Sequence, residues 1–420
     1  MAKKLSRGVA VVGVGMSKFG AFPGKSSRDL FVEAYQELRQ SVQKGFNPQE
    51  IEAFYMGNFS SDQFENQAHL APIVASWVGL SPVASMRIED ACASGGVALR
   101  QAVLAVASGQ CDVVLAGGLE KMTDLPAARV TDTLALAADT MFEVPAGFTF
   151  PGFYASMASA YLDEYGADGE ALLRVAIKNH ENGALNEKAQ FGQRISDVMA
   201  SKKAKAAQKG QPVPEWADEI AFLKDGKANP MIAWPLRLFD CSPVSDGAAA
   251  VLLVSADLAE RYSDHPIFII GSGQASDGAL AERESLTSVP SAARAAAQAY
   301  EMAGVTAQDI DFAEVHDCFT IAEIMAVEDL GFFPRGEGWK AELEGKTARN
   351  GEKPVNTSGG LKSKGHPVGA SGIAQVVEMW KQLNGLAGAR QLQPQPKLGL
   401  THNVGGTGQT CVVHIFERRS

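Results

Sequence analysis

Nothing in this chain reads as a cross-linked or metal-stapled scaffold. Its 420 residues hold five cysteines, at positions 92, 111, 241, 318 and 411, and no two form a Cys-x-x-Cys pair. An odd, widely spaced set describes no disulfide framework and no structural zinc site, so reduced thiols in a cytoplasmic protein and no bound metal are expected. Positive charge is also scarce. With 38 Lys and Arg against 48 Asp and Glu, the net charge is −10 and the pI near 5.3, which excludes a protein built to coat nucleic acid. No apolar run is long enough to span a bilayer. The opening MAKKLSRGVAVVGVGMSKFG has the basic-then-apolar order of a secretory signal, but its apolar part is short and Gly-rich and no cleavage site follows. It reads as a first buried strand.

Apolar residues make up 46% and charged residues 20%, ordinary for a globular protein. The length exceeds what one core usually serves, so two domains or a duplicated one are expected. Short continuous apolar runs recur at 9–15, 112–118, 248–255, 267–273 and 410–416. Continuous rather than alternating apolarity suggests strands covered on both faces. Helical patterns lie between them. Ser27-Arg28-Asp29 precedes a stripe of Leu30, Phe31, Ala34, Tyr35, Leu38 and Val42, with a serine cap. SAARAAAQAYEMA at 291–303 is a second helix former, closed by Gly304.

These two helices reveal a repeat. GFNPQEIEAFYMGNF (45–59) follows the first and GVTAQDIDFAEVHDCF (304–319) the second, at an offset of 259 residues. ASGG at 93–96 and ASG at 370–372 give a weaker echo, each opening a helix. Two similar layered αβ halves follow. In this register His316 falls where the first half has Gly57. The segment from about 120 to 245 fits neither half and reads as an inserted lobe; its lysine run at 202–209 reads as a solvated helix face.

Four stretches carry candidate chemistry. In EDACASGG, Cys92 stands at or just before a helix start, where free N–H groups and the dipole favour a thiolate; the alternative is a small packed thiol. His316, Asp317 and Cys318 adjoin in EVHDCF. His366 lies in the glycine-rich NTSGGLKSKGHPVGASG, either held rigidly at a helix start or exposed on a turn; without a Lys-Ser/Thr pair the loop is no strong phosphate cradle. NVGGTG at 403–408 offers turn N–H groups of the kind that hold an oxyanion. Cys111, Cys241 and Cys411 read as packing residues, as do His69, His180, His265 and His414; His402 stays undecided.

Taken in order, DACASGG, SPVSDGAAA, EVHDCF, GGLKSKGHPVGASG and HNVGGTG resemble the motif set of the thiolase superfamily through nearly the whole chain. The His-Asp-Cys-Phe form resembles the sterol-carrier-protein-type thiolases and their archaeal and bacterial relatives, where other thiolases have Asn-Glu-Ala-Phe and a cysteine at the position of Asn403. The resemblance implies an α/β thiolase fold: two βαβαβαββ halves in a five-layered αβαβα arrangement with an inserted loop domain. The implied boundaries are 1–120 with 246–265, 121–245, and 266–420. It implies acyl transfer between 3-oxoacyl-CoA and coenzyme A, by thiolysis or reverse Claisen condensation. Cys92 would be the nucleophile, His366 its base and Cys318 the second acid/base, replacing the thiol missing at Asn403. His316 with His366 would hold the enolate oxygen, and the N–H groups of Cys92 and Gly405 the acyl carbonyl. Met157, in the aromatic-rich stretch 147–166, and Asn403 are expected at the substrate. Coenzyme A enters as substrate, with no bound cofactor. A homodimer or dimer of dimers, and a small zinc-ribbon/OB-fold partner, are expected by the same analogy. A ketoacyl- or hydroxymethylglutaryl-CoA synthase-type enzyme, or a non-catalytic acyl-CoA-binding subunit, are the alternatives. FERRS is not a peroxisomal Ser-Lys-Leu signal, which agrees with a cytoplasmic setting.

Overall fold

In the computed structural model, which describes residues 4–419, each of the five apolar runs is a strand. The first three residues of the basic opening and the terminal Ser420 lie outside the described residues. Nine strands form one mixed sheet: β1 (Val9–Met16), β2 (Ala53–Gly57), β3 (Ala84–Ile88), β4 (Val113–Glu120), β5 (Gly247–Ser255), β6 (Ile267–Ser276), β7 (Phe312–Glu314), β8 (Leu398–Gly405) and β9 (Thr410–Arg418). The helices that matter here are α1 (Ser27–Ser41), α2 (Leu70–Trp77), α3 (Ser94–Ala107), α4 (Phe150–Tyr165), α5 (Glu170–Gly183), α6 (Pro290–Ala303), α7 (Thr320–Asp329), α8 (Gly360–Lys364) and α9 (Ser371–Leu383).

The strand order is β3-β2-β4-β5-β1-β6-β9-β8-β7. The sheet has a neck in its middle, where β1 meets β6 only through Val9–Val11 and Ile267–Ile269. On either side of that neck the order repeats. The first half runs third-second-fourth-fifth-first, and the second repeats it with its third strand reduced to one parallel bridge, Val355 to Ala313. The duplication read from the sequence is therefore a duplication of topology. Gly45 and Gly304 mark the same point in each half, left-handed at φ 69° and 73° after a helix and before a short 3-10 turn and a strand.

Three apolar cores hold five layers together, the middle one filling both sides of the inner helices. On β5, Ala248, Ala250, Leu252 and Val254 face α1 and α2, while Ala249, Val251 and Leu253 face the inner helices α3 and α9. Beyond those helices come β6–β9, then α6 and α7 on the far face. β1 keeps this alternation through a bulge: Val9 and Val11 face inward before it, Val14 and Met16 after it. This is why the strand runs read as continuously apolar, since both faces are covered. α1 is capped one residue earlier than the stripe suggested. Ser26 accepts the Asp29 N–H and Asp29 reaches back to the Ser26 N–H at 2.9 Å, while Ser27 is buried against Glu65. Nothing between Ala127 and Asp240 joins the large sheet; the stretch holds helices and a two-stranded hairpin. Of the lysines at 202–209, Lys205 and Lys209 are exposed, while Lys202 and Lys203 are half-buried and donate to Ala228 O and Trp216 O.

α3 and α9 cross where side chains are absent. A Cβ on Gly372 would strike the Gly96 backbone and Asn403 Oδ1, and one on Gly95 would lie 2.8 Å from Gly369 O. The small-residue echo at 93–96 and 370–372 is thus a packing device: it brings both helix N-termini, with Cys92 and His366, to one place.

Candidate active site

Cys92 is set by a strained turn. Between β3 and α3 the chain passes through Ala91 at φ 48°, a left-handed value unusual for a residue with a Cβ. The turn is held by Glu89, which accepts the Ala91 N–H at 2.7 Å, and by Ser94, whose Oγ accepts the Asp90 N–H at 2.9 Å and donates to Ala91 O at 2.6 Å. Cys92 then lies ahead of the helix cap Ala93. The Gly406 N–H and its own favour the charged thiolate. Even so, burial pushes the thiol up to about 12, with the Glu120 carboxylate adding to the rise. Desolvation thus opposes the thiolate that the helix end favours.

His366 connects α8 to α9. Its Nδ1 is 2.7 Å from Ser371 Oγ, and that hydroxyl donates onward to Pro367 O at 2.9 Å. The Ser371 oxygen therefore accepts from His366, so the ring proton sits on Nδ1 and Nε2 carries a bare lone pair. Burial, reinforced by Lys364, holds the imidazole down to about 3, so it is neutral and basic at Nε2.

His316 has the opposite tautomer. Asn403 Nδ2 donates to Cys92 O at 2.9 Å and to His316 Nδ1 at 3.1 Å, while Asn403 Oδ1 accepts the Gly96 N–H at 3.1 Å. The carbonyl and N–H partners fix the amide's orientation. His316 Nδ1 must accept, and Nε2, the ring nitrogen without a partner, carries the proton. Burial and the neighbouring His366 and His402 keep this ring neutral. The two imidazoles meet edge to face at 5.0 Å, and one donor atom each of Cys92, His316 and His366 lie within 4.8 Å of one another. This is the grouping of soft ligands found among the described residues. A metal there would need the proton that Asn403 holds on His316 removed, so the set fits a base and a hydrogen-bond donor better than a metal.

Cys318 lines the same cavity as Cys92 and His366, with Phe59, Phe319 and Val368 among its walls. Burial raises its thiol pKa, opposed chiefly by the Tyr154 hydroxyl. That hydroxyl donates to Gly406 O at 3.1 Å, and the ring stacks on Phe319 at 4.7 Å. Between His316 and Cys318, Asp317 faces away. It accepts the N–H groups of Leu361 at 2.6 Å and Lys362 at 3.2 Å, and Asn179 Nδ2 at 2.8 Å. Burial and Glu323 raise it to about 7. Of the adjoining triplet, Asp317 anchors α8, Cys318 lines the cavity and His316 lies beside Cys92 and His366.

Residues 9–257 match the family described as "Thiolase, N-terminal domain", and 272–418 match "Thiolase C-terminal domain-like". The chain belongs to the thiolase family. This thiolase is 45% identical to an acetyl-CoA acetyltransferase of Methanothermobacter thermautotrophicus, over 98% of this chain and all of that one. It is 30% identical to the benzoylsuccinyl-CoA thiolase subunit BbsB of Thauera aromatica, covering 96% of each. Sterol carrier protein 2 of Bos taurus is 31% identical over 97% of this chain and 72% of its own. Among solved structures, the one described as "Ltp2-ChsH2(DUF35) aldolase" superposes with a TM-score of 0.78 at 25% identity, covering 98% of both chains.

Three positions of this thiolase stand elsewhere than the motifs implied. Gly405 is the last β8 residue, paired with Thr410, and Gly406, the first residue of the turn at φ 63°, lines the cavity. Asn403 does not line the cavity, because its amide is consumed by Gly96, Cys92 and His316. Met157 is fully buried beside Tyr154 and lines, with His316 and His402, a small separate void and not the catalytic cavity. His402 accepts the His316 N–H at 3.4 Å and so belongs to the support of the site. Sequence reading missed Tyr154, which carries no local signal, and Ser371, legible only as a helix start. Phe59 was legible: the 259-residue repeat pairs it with Cys318, and both line the cavity.

Proposed function

We propose that the chain transfers acyl groups between 3-oxoacyl-CoA and coenzyme A, with acetoacetyl-CoA as the reference substrate. One observation carries this: Cys92, Cys318 and His366 line a single cavity, with a bare imidazole nitrogen available to a neutral thiol. The full-length likeness to an acetyl-CoA acetyltransferase supports the choice of acyl group.

The Cys92 S–H proton passes to His366 Nε2 as the sulfur adds to the keto carbon. The C2–C3 bond then breaks, leaving acyl-Cys92 and the enolate of the departing thioester. The enolate oxygen is held by His316 Nε2–H and the now protonated His366. Cys318 gives its proton to C2, releasing acetyl-CoA, and its thiolate takes the proton of an incoming coenzyme A. The coenzyme A sulfur attacks the acyl carbonyl, whose oxygen sits at the Cys92 and Gly405 N–H groups. Cys92 leaves and recovers its proton from His366. In between, the Tyr154 hydroxyl turns its one proton from Gly406 O to the Cys318 thiolate.

The division at 1–120 with 246–265, 121–245 and 266–420 is part of this reading, as are a homodimer or higher assembly and a cytoplasmic setting. A small partner subunit is supported by the solved relative described with a DUF35 component. The test is a thiolysis assay of acetoacetyl-CoA with coenzyme A. Cleavage by the wild type, lost in Cys92→Ala, is expected; cleavage that persists in Cys92→Ala removes the nucleophile.

A further inference from the structure

A second chamber lies behind the segment Cys241–Pro243, which also walls the catalytic cavity. Its deepest polar group is Lys362, on α8, 1% exposed. No carboxylate among the described residues is in ion-pair contact with its Nζ. The nitrogen lies 3.4 Å from His180 Nε2 and over the rings of Phe191 and Phe239, at 5.6 and 5.7 Å. His180 gives its Nδ1–H to Gln193 O at 3.0 Å, so Nε2 accepts one ammonium proton and leaves two without partners. The nearest acids are committed elsewhere: Asp240 to the Arg237 N–H and Thr320, Asp317 to α8 and Asn179. Burial brings the Lys362 ammonium down to about 8.

A buried cation without a counterion is costly, and an apolar side chain of the same length would fill this aromatic box more stably. Its geometry fits a ligand that supplies one negative charge on an apolar body. A diphosphate would bring more charge than one ammonium balances, and its hydration would be lost against Phe191 and Phe239. The chamber also reaches solvent, since Phe191 and Leu238 are 39% and 49% exposed.

We propose that this chamber is a carboxylate-binding site, with Lys362 as the cation and Phe191 and Phe239 as the apolar walls. The carboxylate is either a free short-chain acid or the far end of a 3-oxo-dicarboxylic acyl chain. Only the second source rests on the acyl-transfer reading.

The experiment titrates the full chain with hexanoate, read by thermal unfolding and calorimetry, in wild type, Lys362→Met and Lys362→Gln. The wild-type Tm rises with hexanoate and the variants do not respond, while ligand-free Lys362→Met unfolds at or above the wild-type temperature. The second arm compares KM for acetoacetyl-CoA with that for a 3-oxoacyl-CoA ending in a carboxylate. A rise of about tenfold or more in Lys362→Met, confined to the carboxylated substrate, assigns the site to the acyl chain. An unmoved KM ratio with hexanoate binding lost assigns it to a free acid. Equal hexanoate responses in all three proteins together with an unmoved ratio overturn the site, as does a lowered Tm of Lys362→Met with binding intact. Hexanoate binding needs no turnover, so failure of the acyl-transfer reading leaves this arm standing.

Discussion

At the scale of the residue, the proposed acyl transfer works by assigning protons. Asn403 places one on His316 Nε2 and Ser371 removes one from His366 Nε2, so similar rings beside one thiol become donor and base. Asn403→Asp reverses the first assignment, because a carboxylate beside His316 Nδ1 requires a proton there. Turnover is expected to fall on the order of a hundredfold, the usual cost of one lost oxyanion donor, while iodoacetamide still alkylates Cys92. Unchanged kcat with an intact fold would show that the tautomer is irrelevant. A second consequence concerns pH. With His366 at about 3 and Cys92 at about 12, neither titrates in the neutral range, so the rate of Cys92 acylation in stopped flow should be level there. A limb near neutrality would mean a thiolate–imidazolium pair instead. The sequence displayed every one of these side chains, but not their protons. The tautomers depend on Ser371 and on an asparagine read as a substrate contact, and Tyr154 reaches Cys318 only through the folding of the inserted stretch.

At the scale of the element, α3 and α9 matter most, because Cys92 and His366 lie just ahead of their N-termini and the two helices cross on glycine. Gly372→Ala puts a methyl group against the Gly96 backbone and Asn403 Oδ1. Backbone cannot rotate away, so a loss of about 1–3 kcal/mol or more in chemical denaturation is expected, with turnover falling further than stability explains. Wild-type stability in that variant would show the crossing to be loose. Elements were the most legible level. Covered strands announce themselves by unbroken apolar runs, and the repeat at 45–59 and 304–319 marks equivalent turns and strands. The missing third strand of the second half was not legible, because one bridge at Val355 leaves no periodicity to read.

At the scale of the whole molecule, the active-site layer is buried at a cost that pH exposes. His180, His316, His366, His402 and His414 are all held neutral well below their ordinary 6.5 by burial. Each binds a proton in the unfolded chain before it does so in the folded one, so stability falls as pH drops from about 6.5 toward 3, by up to about 1.4 kcal/mol per unit for each ring. Glu120, Asp317 and Glu342, raised to about 7, act oppositely, losing stability as pH rises toward 7. Their effect ends below the ordinary carboxylate range, so urea unfolding at stepped pH should show the steepest loss below about 4.5. A flat profile there would mean that the rings are protonated when folded.

The central claim is that Cys92 carries the acyl group while Cys318 handles the proton of the same substrate. Peptide mass spectrometry after brief exposure to acetoacetyl-CoA without free coenzyme A tests it most directly. An acetyl group on Cys92 alone, absent from Cys92→Ala, is the result expected. Acetylation of Cys318 or of another cysteine in the wild type, with Cys92 unmodified, would contradict the account.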